Sequence, residues 1–278
     1  MSYLIIGDSC TDLTKEWKQN EHIRLVPLSI EIDGEIIVDD ETFDQASFLR
    51  KMKASPNCPK SACPSPDEYA RYFDQADEIY VITLSGNLSG SYNSAMIAAD
   101  IYQEEHGKKK IHIFDSCSAS VGQLLLAMKI EELKKAGKNF EEVCKEVTAF
   151  RDKKQTMFVL ESLDTLRKNG RLSGLQAILA SALNIKPVMR GTIDGQIEKR
   201  DQARGINRAI QMMAKYVAED AHDASSRILA IAHCNNRERA EFTRKAITKL
   251  VTFRDVVIVD TAGISSLYAN DGGIIVSF

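Results

Sequence analysis

The 278-residue chain has few of the short signatures that mark a cofactor or a compartment. No Gly-Lys-[Ser/Thr] follows a candidate strand, and no G-x-G-x-x-G opens a helix, so P-loop and dinucleotide chemistry are disfavoured. The six cysteines form no C-x-x-C pair and have no histidine at ligand spacing, which argues against a zinc site. The opening "MSYLIIGDSC" carries no basic stretch and meets Asp8 after four apolar residues, unlike a secretory signal. With no export signal, disulfides are not expected either. No run approaches the ~18–20 apolar residues of a membrane span. A formal net charge of −3 lacks the basic excess of a nucleic-acid binder. These absences describe a cytoplasmic protein with no cofactor, no metal and no nucleic-acid partner.

What is present is a pattern of alternation. Short apolar runs at residues 3–6, 24–30, 78–83, 111–114, 157–160, 228–232, 256–259 and 274–278 read as strands. Most are continuous rather than alternating, as in strands covered on both faces. Between them lie helical stripes: Tyr92, Ala95, Met96, Ala99 and Tyr102; Ile206, Ala209, Ile210, Met213 and Val217; and Phe242, Ala246, Ile247 and Leu250. Strands alternating with helices predict an α/β fold with mainly parallel sheets flanked by helices. The polar stretch "RDKKQT" at 151–156 suggests two α/β domains, 1–152 and 153–278, in close contact because no Pro/Gly-rich linker joins them.

Polar turns follow several of these strands. "TLSGNLSGSYNSAMIAAD" (83–100) crowds Ser85, Gly86, Ser89, Gly90 and Ser91 where a helix N-terminus would expose unpaired N–H groups, a place suited to an anion. "PKSACPSPDEY" (59–69) is a second serine-rich turn, with Ser65 as N-cap and Pro66 in the first helical turn. Such clusters serve as turn chemistry alone, or hold one carboxylate from both sides through hydroxyls and N–H groups. Asp-Ser-Cys recurs after a strand at 8–10 and at 115–117. In a parallel sheet both would border the crevice at the strands' carboxyl ends; the alternative is helix capping. Arg171, just after the helix-ending Gly170, would complement a carboxylate if turned inward, but by itself reads as a solvated cation. The rival chemistry is a serine esterase or acyltransferase using Ser89 or Ser173, which needs a histidine in reach. His233, at the end of "ILAIAHC", is the best placed of the five.

In their order and spacing, "GDSCTDL", "VPLSIEIDGE", "SACPSPDEY", "LSGNLSGSYNSA", "IHIFDS", "LDTLRKNGRLSG" and "LNIKPVM" resemble the DegV family along essentially the whole chain. The resemblance implies a bacterial, non-enzymatic protein whose two α/β domains clasp a long-chain fatty acid such as palmitate or oleate, between or beside the domains. The carboxylate would be held by hydroxyls and N–H groups and the tail buried in an apolar tunnel. A separate fatty acid kinase would make the acyl phosphate. Carried over residue by residue, the family's Thr/Ser pair falls on Ser61 and Ala62, its turn serine on Ser89 beside Gly90, and its arginine on Arg171. Many kinase-linked members carry a histidine at or near the place of Ala269, a departure that bears on phosphotransfer more than on the lipid pocket. The basic residues Arg190, Lys199, Arg200, Arg204 and Arg208 form either a solvated face or, as the resemblance implies, an electrostatic dock for an acidic kinase surface.

Overall fold

In the computed structural model the residues described are 1–172 and 184–278. The first part of the chain runs β1 (Tyr3–Asp8), β2 (Ile23–Val26), β3 (Ser29–Ile32), β4 (Glu35–Val38), α1 (Gln45–Ala54), β5 (Lys60–Ala62) and α2 (Pro66–Ala70). It continues through β6 (Glu78–Thr83), α3 (Ser91–His106), β7 (Lys110–Asp115), α4 (Val121–Lys135) and α5 (Phe140–Lys153). The remainder holds β8 (Thr156–Val159), α6 (Asp164–Lys168), β9 (Ile185–Gly191), β10 (Ile197–Arg204) and α7 (Ile206–Asp220). It ends in β11 (Ile228–His233), α8 (Arg237–Thr248), β12 (Asp255–Asp260), α9 (Gly263–Ala269) and β13 (Ile274–Ser277).

The first sheet has the order β2-β1-β6-β7 and is parallel throughout. Its two central strands are buried on both faces, which explains their unbroken apolar runs. Period-2 alternation then divides the side chains. Leu4, Ile6, Ile79 and Val81 pack beneath α2 and α3, whereas Ile5, Tyr80 and Ile82 pack against α4.

The second sheet, β10-β9-β8-β13-β11-β12, departs from the expected parallel arrangement. Only β11 and β12 run parallel; β13 lies antiparallel between β8 and β11, and β9 and β10 form an antiparallel pair at the edge. An apolar run reports burial on both faces, not strand direction, and helices cover this sheet as they do the first. Ala230 and Ala232 face α4, while Leu229 and Ile231 face α7 and α8. Helix α4 is therefore the shared middle layer, touching β1 and β6 on one side and β11 and β13 on the other.

A small antiparallel sheet, β4-β3-β5, lies beside these layers. Residues 24–30, expected as one strand, are two, because Pro27 has no N–H with which to continue the ladder. Ser65 and Pro66 start α2 as expected, with the Glu68 carboxylate accepting the Ser65 N–H at 2.7 Å. No helix among the described residues is long and apolar enough to cross a membrane.

Candidate functional site

An apolar pocket opens beyond the carboxyl ends of β1, β6 and β7. Leu84, Leu88, Phe158, Leu160, Leu166, Ile197, Ile264 and Ile275 give it an apolar wall. Cys10 and Cys117, the last residues of the two Asp-Ser-Cys repeats, both line it.

The aspartates of those repeats build turns rather than cap helices. Asp8 accepts the Leu84 N–H (2.6 Å), the Gln123 side-chain amide (2.8 Å) and the Cys10 N–H (3.2 Å), joining the end of β1 to the exit of β6 and to α4. Burial pushes its carboxyl up to about 6. Asp115 accepts the N–H groups of Gly86 and Cys117, fixing the turn after β6.

That turn forms the mouth. The Leu88 and Ser89 N–H groups fold back on the Ser85 carbonyl (2.9 and 3.0 Å). Ser89 Oγ accepts the Ser91 N–H (3.2 Å) and lies 2.9 Å from Ser91 Oγ. Gly90 meets the second serine-rich turn so closely that a Cβ there would come within 2.9 Å of Cys63 Sγ. Ala62 ends β5, its side chain exposed, and Ser61 Oγ lies 2.8 Å from the Tyr268 hydroxyl.

Arg171 turns inward, contrary to its reading in isolation. Gly170 adopts a left-handed φ of 77° after α6, and Arg171 N–H closes the helix end on the Leu166 carbonyl. The guanidinium then donates to the carbonyls of Leu88 (3.1 Å) and Asn169 (2.6 Å) and lies over the Tyr268 ring, 5.7 Å from its centroid. Arg171 lines both the apolar cavity and an adjoining polar recess that contains Ser89, Gly90 and Asn169. Ser89, Gly90 and Arg171 share that recess, the rim of the cavity; Ser61 meets it through Tyr268, and Ala62 lines neither space. The rim offers a hydroxyl, the first turn of α3 and one cation beside an apolar chamber.

Tyr268 ties this rim together, yet nothing in the sequence singled it out. It comes from α9, whose N-terminus is gripped by two other unforeseen residues, the buried Asp39 and Asp12. Asp39 accepts the Gly263 and Ile264 N–H groups (2.6 and 2.9 Å), and Asp12 accepts the Ala262 N–H (2.7 Å). Burial pushes both carboxyls up, to about 6 and about 7. The serine-containing stretch "TAGISSLYA" that includes Tyr268, following a candidate strand as residues 83–91 do, was the available signal.

Among the described residues, no histidine lies beside Ser89. His233 ends β11 as expected, but it is buried, accepts the Asn236 N–H and lies 3.5 Å from Asp260, away from the cavity. Ser173, the other nucleophile considered, lies outside the described residues.

The DegV family model, described as an uncharacterised protein family, matches residues 2–278. The chain belongs to the DegV family. A DegV domain-containing protein of Streptococcus pneumoniae is 36% identical over 280 residues, covering 100% of this chain and 99% of its own. Among solved structures, a DegV family protein from Ruminococcus gnavus, refined with vaccenic acid, is 47% identical over 99% of each chain, with a TM-score of 0.97. The Fatty Acid Kinase (Fak) B3 protein of Streptococcus pneumoniae, loaded with linoleic acid, is 35% identical over 100% of this chain and 99% of its own, with a TM-score of 0.91. A DegV family protein from Eubacterium eligens, loaded with heptadecanoic acid, is 29% identical over 99% and 98%, with a TM-score of 0.90.

In this DegV chain Ala269 is buried and lines the cavity beside Tyr268. The basic cluster is smaller than its sequence suggests. Arg200 stacks on Tyr216 (4.1 Å to the centroid) and pairs with Asp220, and Arg190 pairs with Glu198. Arg204 and Arg208 stay exposed where β10 passes into α7, without an ion pair among the described residues.

Proposed function

We propose that this DegV protein binds a long-chain fatty acid and presents it to a partner kinase, which supplies the ATP chemistry. The observation that carries this reading is an otherwise apolar cavity whose wall includes Arg171, beside a polar recess that holds Ser89 and Gly90. Ser61 and Ser89 bond the carboxylate, the N–H groups near Ala62 and Gly90 assist, and Arg171 offsets the charge. A neutral hydrogen bond there contributes ~1 kcal/mol and a charge-assisted one roughly twice that. The tail contributes ~0.8 kcal/mol per buried CH₂, so it supplies affinity while the head selects the acid. Relatives solved with vaccenic, linoleic and heptadecanoic acids support the substrate class.

Residues 1–152 form the unit that carries most of the head-binding turns, and residues 153–278 the unit that covers the tail. Six free cysteines fit a reducing cytoplasm. With Ala269 at or near the place of a histidine in many kinase-linked members, the head is held by hydroxyls, backbone N–H groups and Arg171. Arg204 and Arg208 form the dock for the kinase; Arg200 is occupied by its own acids.

Displacement of a fluorescent polyene fatty acid by palmitate or oleate measures binding, and failure of both to bind would reject the reading. Reversing the charge of Arg204 and Arg208 together should leave lipid affinity unchanged. It should also slow acyl-phosphate formation with a fatty acid kinase by about tenfold or more, since complementary charge acts on association rate.

A further inference from the structure

A glycine in an ordered chain has a local reason, either a backbone angle or a close neighbour. All but one of the described glycines show it. Either φ lies in the left-handed region, or an atom stands within 3.0 Å of where a Cβ would be. Gly191 has neither. Its φ lies outside that region, and the nearest atoms to its Cβ position, three backbone oxygens, are 4.0 Å away. Glycine in a strand costs stability, because it brings no side chain to pack. The space left open at Gly191 therefore serves something other than the fold.

That space belongs to the apolar pocket. Gly191 ends β9 and lines the pocket, as does Ile197, its partner across the β9–β10 hairpin. Period-2 alternation fixes the direction. Met189, two residues earlier, packs with Phe158 and Leu160 of the pocket wall, whereas Val188 packs in the core on the other face. A side chain at 191 would point as Met189 does. The wall is also held against retreat, because the hairpin tip is tied to the turn after β6. Ser85 Oγ donates to the Gly195 carbonyl (2.8 Å) and the Asn87 side-chain amide to that of Asp194 (2.6 Å).

Along β8 the position is remote from Arg171. The pocket-lining residues of β8 and its exit are Thr156, Phe158 and Leu160. Gly191 stands beside Thr156, one step beyond the Met157–Arg190 pair. Leu160, at the other end, packs in one cluster with Leu166 and Leu172, the latter next to Arg171 in the chain. Thr156 and Leu160 are four residues apart, about 13 Å at ~3.3 Å each.

We propose that Gly191 is a specificity-determining residue: its missing side chain leaves the room in which the far part of the acyl chain lies, and so sets the longest acid the pocket takes. This rests on the fatty-acid reading above. Each methylene kept out of the pocket costs roughly fourfold in affinity, the equivalent of ~0.8 kcal/mol.

The test is isothermal calorimetry of the delipidated whole protein with saturated acids from decanoate to octadecanoate. In the wild type, affinity should rise with each added carbon until the pocket is full. In Gly191→Val the rise should stop about two or three carbons earlier, with octadecanoate weakened about tenfold or more and decanoate unchanged. Gly191→Ala should stop it about one carbon earlier. Its single methyl meets nothing closer than 4.0 Å, so this variant carries the test if thermal melts show the valine variant unfolded. Ile197→Ala added to either variant should bring the longer acids back, since it vacates space across the hairpin. One chain-length profile shared by wild type and variants, or equal weakening of every acid, overturns the proposal and leaves the fatty-acid reading standing. A wild type that binds none of these acids removes that reading, and the role of Gly191 with it.

Discussion

Replacing Ser89 with alanine removes one donor from the rim and leaves the Ser91 N–H without its acceptor. Fatty-acid affinity should fall by ~1–3 kcal/mol, the cost of stranding a polar group, while binding of an uncharged apolar probe stays the same. Equal losses for acid and apolar probe in a displacement assay would mean that Ser89 only shapes the turn. Asp12 offers a stability test at the same scale. Burial pushes its carboxyl up to about 7, against an ordinary 3.8. Between these values the folded chain keeps a proton that the unfolded chain has released. The stability from this group is therefore complete below about pH 4 and is lost as pH rises through about 7. Asp12→Asn can still accept the Ala262 N–H and can donate to the Ser120 hydroxyl. Thermal melts should show a flatter pH profile for this variant and a higher Tm than wild type at about pH 8. An unchanged profile would show that Asp12 titrates normally. The turns that carry Ser61, Ser89, Gly90 and Arg171 were legible because turn chemistry and helix ends leave local marks. The inward turn of Arg171 was not, since the carbonyl that catches it belongs to Leu88, in another turn.

Among the elements, helices α3, α7 and α8 and the core strands were read from periodicity, and the edges were missed. Strand β10 (IEKRDQAR) is polar and lies at the edge of its sheet, so no apolar run announces it. Strand β9 carries Pro187, which demotes a strand reading. The direction of β13 was hidden as well, because nothing local distinguishes a parallel from an antiparallel strand when both faces are covered. Helix α4 shows what a sequence pattern can and cannot convey. Its apolar residues fall on more than one face, because it packs between two sheets rather than onto one. Leu124 is fully buried in the cluster that joins the sheets. Leu124→Ala should destabilise the fold by ~2–5 kcal/mol in urea unfolding, loosening both sheets at once. A cost under ~1 kcal/mol would mean that the middle layer closes over the gap.

Taken whole, the molecule stacks helix, sheet, helix, sheet and helix, and the cavity draws its wall from residues as far apart as Cys10 and Ile275. That separation explains why the sequence alone shows the polar turns but not the chamber behind them. Asp12 and Asp39, early in the chain, anchor the short helix that brings Tyr268 to the rim. Burying an acyl tail there needs no catalytic group, and the described residues put no histidine beside Ser89. The central claim is that this chamber holds a fatty acid with its carboxylate at the rim. Gentle purification followed by native mass spectrometry, with organic extraction of the same sample, measures this directly. The account predicts one long-chain fatty acid per chain, lost on extraction and regained when palmitate or oleate is added back. A protein that carries no lipid and takes up neither acid would contradict it.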